Sequence, residues 1–119
     1  MDKTLQAGEH QLVFTPEVND RIADDNKFAK FVYKSILRFN RGDWGNVSVE
    51  SWEANNADLE LLNNGDREGR ILADYKGDYI PSWSYSVRQS GIPRSWIDAR
   101  VWIIRNVADQ SGSQVITVM

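Results

Sequence analysis

A chain of 119 residues has room for one hydrophobic core, since domains cluster at roughly 100–150 residues, and a single domain over 1–119 is expected. With 41% hydrophobic and 26% charged residues the composition is globular, which excludes wholesale disorder. The net charge is −3, and the absence of cysteine excludes disulfide scaffolds and thiolate chemistry; with no apolar N-terminal stretch and no run of about 18 apolar residues, a cytoplasmic protein without a membrane span is expected.

Residues 1–10 are polar and aperiodic, as in a frayed end. Gln11–Phe14 reads as a strand. Thr15 then stands as an N-cap with Pro16 at the first helical position, where a missing N–H costs nothing, and Glu17 complements the helix dipole. Val18 and Ile22 lie one turn apart, and Asp24-Asp25-Asn26 breaks the pattern and can cap the next helix.

The spacing predicts that second helix over Lys27 to Asn40. Phe28, Phe31, Val32, Ile36 and Phe39 share one face, widened by Tyr33 and Leu37, and form the expected spine of the core. Lys27, Lys30, Lys34, Arg38 and Arg41 recur at steps of three, four, four and three on the opposite face. Two readings follow: a phosphate-contacting stripe, or a solvated helix face.

Gly42 and Gly45 allow positive φ around Asp43-Trp44, so the chain can reverse tightly. The Arg41-Gly42-Asp43 tripeptide carries no adhesion meaning in such a chain, and no phosphate loop follows. A third helix starts at Ser48 or Ser51 and runs to about Asn63, with Trp52, Leu59 and Leu62 towards the core. Glu50, Glu53, Asp58 and Glu60 make it acidic. Residues 42–78 hold 3 basic and 9 acidic groups, against 7 and 6 before them and 4 and 2 after them. A field so concentrated repels nucleic acid and attracts basic protein surfaces.

After the stop signal Asn63-Asn64-Gly65-Asp66 the period shifts towards two. Arg70–Tyr75 reads as a strand and Lys76-Gly77-Asp78 as a hairpin turn. Tyr79 to Arg88 alternate aromatic and hydroxyl-rich positions, with Pro81 arguing for an edge strand or loop. Ala99–Val107 has the apolar character of a central strand, and Ser113–Val118 pairs with it beyond a turn. The expected fold is α+β: three N-terminal helices packed on a small antiparallel sheet of three to five strands, with residues 76–99 an inserted aromatic loop or edge strand.

His10 is the only histidine, so a catalytic triad or multi-histidine metal centre cannot form within one chain. Asp43 with Glu50 or Glu53 could divide acid and base roles, and Asp74 with Asp78 could offer oxygens to a divalent cation, but nothing in the spacing demands either. No catalytic residue, metal or cofactor is therefore expected, and the solvated reading of these carboxylates stands beside the chemical one.

Taken together, the Thr15-Pro16 start, the helix ending in Arg41-Gly42-Asp43-Trp44-Gly45, Trp52 and Asn55, Gly69-Arg70 before a strand ending in Tyr75, and Val101-Trp102-Ile103-Ile104 before a terminal hairpin form a pattern. It resembles a family of small phage- and plasmid-borne proteins labelled plasmid-related protein, over 15–45, 52–75 and 100–118. The resemblance brings no catalytic motif and implies a mobile-element protein. This chain departs from the family pattern in its longer aromatic segment 76–99 and in lacking the proline and acidic-tyrosine ending.

Tyr79, Trp83, Tyr85, Arg88, Arg94 and Trp96 are the residue types that dominate binding hot spots, although such rings can equally complete a core, with Trp44, Trp52 and Trp102 inside and Trp83 or Trp96 outside. With Glu50, Glu53, Asp58 and Glu60 they are the candidate partner-binding residues. The leading expectation is a non-enzymatic, anti-CRISPR-like or anti-restriction protein that binds and inhibits a host protein or ribonucleoprotein defence complex. The alternatives are a nucleic-acid-binding accessory protein using the basic helix 27–41, and a nuclease-like enzyme using the carboxylates. An edge around 79–88 could also close a homodimer by strand addition.

Overall fold

The computed structural model describes residues 10–78, 98–107 and 112–119. Over these the chain runs β1 (His10–Phe14), α1 (Pro16–Asp24), α2 (Asn26–Asn40), α3 (Val49–Asn63), β2 (Arg70–Asp78), β3 (Asp98–Val107) and β4 (Gln114–Val118). Among the described residues no helix is long and apolar enough to cross a membrane.

Local chemistry sets the helix boundaries. Pro16 opens α1, but Thr15 makes no side-chain cap; its N–H instead donates to the Val118 carbonyl at 3.0 Å, carrying the sheet ladder up to the first helical turn. Asp25, buried between α1 and α2, ends one helix and starts the next: its Oδ1 accepts from the N–H groups of Lys27 (3.0 Å) and Phe28 (3.3 Å). Such a cap is worth about 1 kcal/mol. Ser48 caps α3 by accepting from the Ser51 N–H at 3.1 Å, so Ser51 lies inside the helix.

In α2 the buried seam is Phe28, Val32, Ser35 and Phe39, with Phe31 and Ile36 packed beside it. The expected widening by Tyr33 and Leu37 does not occur. Tyr33 stands one residue past Val32 of the seam and Leu37 two past Ser35, which at about 100° per residue turns both away from it. Tyr33 is 63% exposed and Leu37 43%, on the side that carries the lysines. The hydroxyl of Ser35 is accommodated by donating to the Phe31 carbonyl at 2.8 Å.

The sheet order is β1-β4-β3-β2. β2 with β3 and β3 with β4 are antiparallel, whereas β1 runs parallel to β4, so the four-stranded sheet is mixed where an antiparallel one was expected. A strand also precedes the helices and joins the same sheet, so the helices are inserted between β1 and β2. A second correction concerns Lys76-Gly77-Asp78, which continues β2 opposite Arg100, Ala99 and Asp98. Gly77 serves packing: a Cβ there would lie 2.8 Å from the Phe31 ring.

Alternation along the strands places Ile71, Ala73, Tyr75, Ala99, Val101, Ile103, Ile116 and Val118 against the helices, where they bury with Phe28, Val32, Phe39, Trp44 and Leu62. Arg105 and Gln114 share that buried face, satisfied by polar bonds described below. Trp102 and Ile104, half-buried, lie on the other face of β3. Trp44 is buried and Trp52 half-buried against the core.

Candidate functional site

The loop between α2 and α3 folds onto the outer edge of β2. Gly42 and Gly45 adopt φ of 80° and 77°, conformations that side chains disfavour, and a Cβ on Gly45 would overlap the Asp74 carbonyl oxygen. Between them Trp44 turns inward, edge-on to Phe39 with centroids 5.3 Å apart, and its Nε1–H donates to Asn56 Oδ1 at 2.9 Å.

Asp43 holds the turn together. Its carboxylate accepts from Arg38 Nε (2.8 Å) and Nη2 (3.1 Å) and from the Gly45 N–H (3.0 Å), and its carbonyl accepts from the Tyr75 hydroxyl at 2.7 Å. The Arg38 guanidinium bonded to it holds the Asp43 carboxyl below the usual carboxylate range, and the same bond raises Arg38. Burial pushes the Tyr75 hydroxyl well up. A general acid needs a raised pKa, so Asp43 is shifted in the direction that removes it from that role.

The remaining edge groups of β2 are met one after another. The Asp74 N–H donates to the Trp44 carbonyl (3.2 Å), and the Asp74 carbonyl accepts from the Asn46 N–H (2.6 Å). Lys76 N–H donates to Asn46 Oδ1 at 3.2 Å. From α3, Asn55 Nδ2 donates to the Leu72 carbonyl (2.9 Å) while Asn55 Oδ1 accepts from the Leu72 N–H (3.3 Å), the pattern that a neighbouring strand would provide. Asp58 Oδ2 accepts from the Arg70 N–H at 3.0 Å. An exposed strand edge is a template for unwanted pairing, and here the α2–α3 loop and α3 close it from Arg70 to Lys76.

With its inner side thus fixed to the sheet, α3 turns its carboxylates outward. Glu50, Glu53 and Glu60 are exposed, at steps of three and seven that keep them on one face, spanning roughly 15 Å along the axis. The helix contains no lysine or arginine. Arg38 pairs with Asp43 and Arg100 with Asp74, and neither ion pair involves these glutamates. Asp58, expected among them, is half-buried and spent on β2.

Lys27, Lys30 and Lys34 on α2 and Arg41 at its C-cap are exposed, but Arg38 is tied to Asp43, so the five-cation stripe is one of four. Asp74, a candidate cation ligand in the sequence, is held by Arg100 at 3.0 and 2.8 Å, and among the described residues no group of three His, Cys, Asp or Glu could hold a metal. Tyr79, Trp83, Tyr85, Arg88, Arg94 and Trp96 lie outside the described residues, as does the strand addition expected around 79–88.

Among the described residues, depressions flank the sheet at two places. A cleft of about 580 Å³ separates α1 from the first residues of β3. A smaller one of about 170 Å³ is bordered by Phe39, Trp44, Leu59 and the buried Arg105. Arg105 Nε donates to Gln114 Oε1 (2.7 Å) and Nη2 to Asn63 Oδ1 (3.2 Å), and Gln114 Nε2 donates to the Leu62 carbonyl (2.7 Å). This network ties the end of α3 to the sheet, and sequence reasoning missed it, as it missed the edge closure by Asn46 and Asn55. The available signal was the placement of asparagines inside a helix, where they compete with the backbone and usually need a reason. Comparison with family models, curated proteins and solved structures gives no match.

Proposed function

We propose that this protein is a binding protein, not an enzyme, and that α3 engages the basic nucleic-acid-binding groove of a host protein or ribonucleoprotein defence complex, inhibiting it in an anti-CRISPR-like or anti-restriction manner. One observation carries the reading: Glu50, Glu53 and Glu60 are exposed on a cation-free helix that Asn55 and Asp58 anchor to a closed sheet edge. A rigid row of carboxylates resembles the charge of a phosphate backbone without the entropic cost of ordering it on binding. The resemblance to phage- and plasmid-borne proteins supplies the class of partner, and Asp43, bonded to Arg38, supports the absence of carboxylate catalysis.

The test is inhibition of DNA binding by purified guide-RNA-loaded and restriction complexes, comparing the natural chain with a triple Glu50→Lys, Glu53→Lys, Glu60→Lys variant. Micromolar inhibition that the variant loses by at least roughly tenfold, at unchanged Tm, is expected. Inhibition that survives the triple reversal, or none at all, refutes the reading.

A second reading, nucleic-acid binding by α2, is favoured by the exposure of Tyr33 beside Lys30 and Lys34, which suits stacking next to phosphate contacts. Retention on heparin that falls steeply with salt would support it, and no retention at low salt would remove it.

A further inference from the structure

Two helix faces lie outside the core, and they match each other. On α2, Lys30, Tyr33, Lys34 and Leu37, with Arg41 at the C-cap, are exposed opposite the buried Phe28, Val32, Ser35 and Phe39. On α3, Glu50, Glu53, Ala54, Ala57, Glu60 and Leu61 are exposed opposite the buried Asn55 and Leu62. The ion pairs Arg38–Asp43 and Arg100–Asp74 involve neither face. Each face points away from the side by which its own helix packs, so the two do not meet within one chain. A solution of this chain nevertheless holds the basic and the acidic surface at equal concentration.

Each face carries an apolar line beside a charged one. A right-handed helix seen from its N-terminus turns clockwise as it recedes, by about 100° per residue. On α2 that places Lys30, Lys34 and Arg41 clockwise of Tyr33 and Leu37. On α3 it places Glu53 and Glu60 anticlockwise of Ala54, Ala57 and Leu61. Face to face and parallel, the helices therefore bring cation to carboxylate and apolar to apolar, whereas antiparallel they would set cations against the apolar line. The spacing agrees as well: Lys34 and Arg41 are seven residues apart, as are Glu53 and Glu60, so both pairs repeat at about 10 Å along the axis. In that register Leu37 falls between Ala54 and Ala57, and Tyr33 just before Ala54, so that large side chains meet small ones.

We propose that the protein self-associates through this contact, α2 of one copy packing parallel to α3 of the next, with Lys34 on Glu53 and Arg41 on Glu60. Exposed ion pairs contribute only about 0–1 kcal/mol each, so the apolar line carries the affinity and the charges set direction and register. The two surfaces differ, so each copy gives α2 to one neighbour and α3 to another, and the assembly extends or closes into a ring. It covers the α3 glutamates and so competes with any basic groove that engages them, and it forms whether or not such a groove exists.

Analytical ultracentrifugation of the full chain, from micromolar to millimolar concentration, tests this. The weight-average mass should rise with concentration at low salt and fall back as salt screens the charges. Lys34→Glu with Arg41→Glu, and separately Glu53→Lys with Glu60→Lys, should each leave a monomer, and an equimolar mixture of the two variants should associate again. Tyr33→Ala with Leu37→Ala keeps every charge and should weaken association roughly tenfold or more at unchanged Tm. A chain that stays monomeric throughout overturns the proposal, as does association that survives either reversal or a mixture that fails to associate. Undiminished association of the Tyr33 and Leu37 variant would reduce the effect to charge alone and overturn it too. The measurement contains no host complex, so failure of α3 to inhibit one is read separately.

Discussion

Replacing Asn55 by alanine is the sharpest test of how α3 is mounted. The side chain is buried and makes both bonds to the Leu72 backbone, so truncation leaves one N–H and one C=O of β2 without their partner. Each stranded group costs about 1–3 kcal/mol, reduced here because Leu72 is exposed and water can reach its backbone once the amide is gone, and alanine returns about 0.6 kcal/mol through helix propensity. A net loss of about 2 kcal/mol follows, which lowers Tm by roughly 8 °C in a domain of this size. Urea denaturation should show a lower midpoint at unchanged slope, and exchange of the Leu72 amide should accelerate more than that of Ile103 in the sheet centre. A loss below about 0.5 kcal/mol, or uniform acceleration of both amides, would refute the edge-clamp account.

Gly45→Ala combines a positive φ with overlap of the Asp74 carbonyl, so it should cost more than about 2 kcal/mol, whereas Gly42→Ala, with open space around it, should cost only about 1 kcal/mol; denaturant titration separates them. Gly77→Val should destabilise by about 1–3 kcal/mol through collision with Phe31, and a neutral result would return Gly77 to the role of a turn residue. Asp43 has a lowered folded-state pKa, so its stabilisation is fully present above the unfolded carboxylate value of about 3.9 and is lost as pH falls through the folded value. The stability difference between the natural chain and Asp43→Asn should therefore be constant near neutrality and shrink as pH falls below about 4, and a difference that does not change with pH would contradict the Arg38 pairing.

Local signals were readable and non-local ones were not. Thr15-Pro16, the phenylalanine seam of α2 and Ser48 carry their helix boundaries in a few adjacent residues, so the order of elements follows from the sequence. The parallel pairing of β1 with β4 joins residues about a hundred positions apart, and nothing in Gln11–Phe14 states its direction. Gly77 misled for a related reason: glycine marks turns locally, but here it makes room for a ring from α2. Among the candidate site residues, the exposure of Glu50, Glu53 and Glu60 was legible because charge without a nearby counter-charge stays in water. Asp58 has the same chemistry and a different fate, decided by the β2 edge lying beside it.

The closure of the β2 edge bears on function. Along β2 the fold spends Asn46, Asn55, Asp58 and the Trp44 carbonyl to satisfy consecutive backbone groups, although asparagine and aspartate weaken the helix that carries two of them. Opening the β2 edge with Asn55→Ala should therefore create indiscriminate association, detectable as oligomers at concentrations where the natural chain shows none.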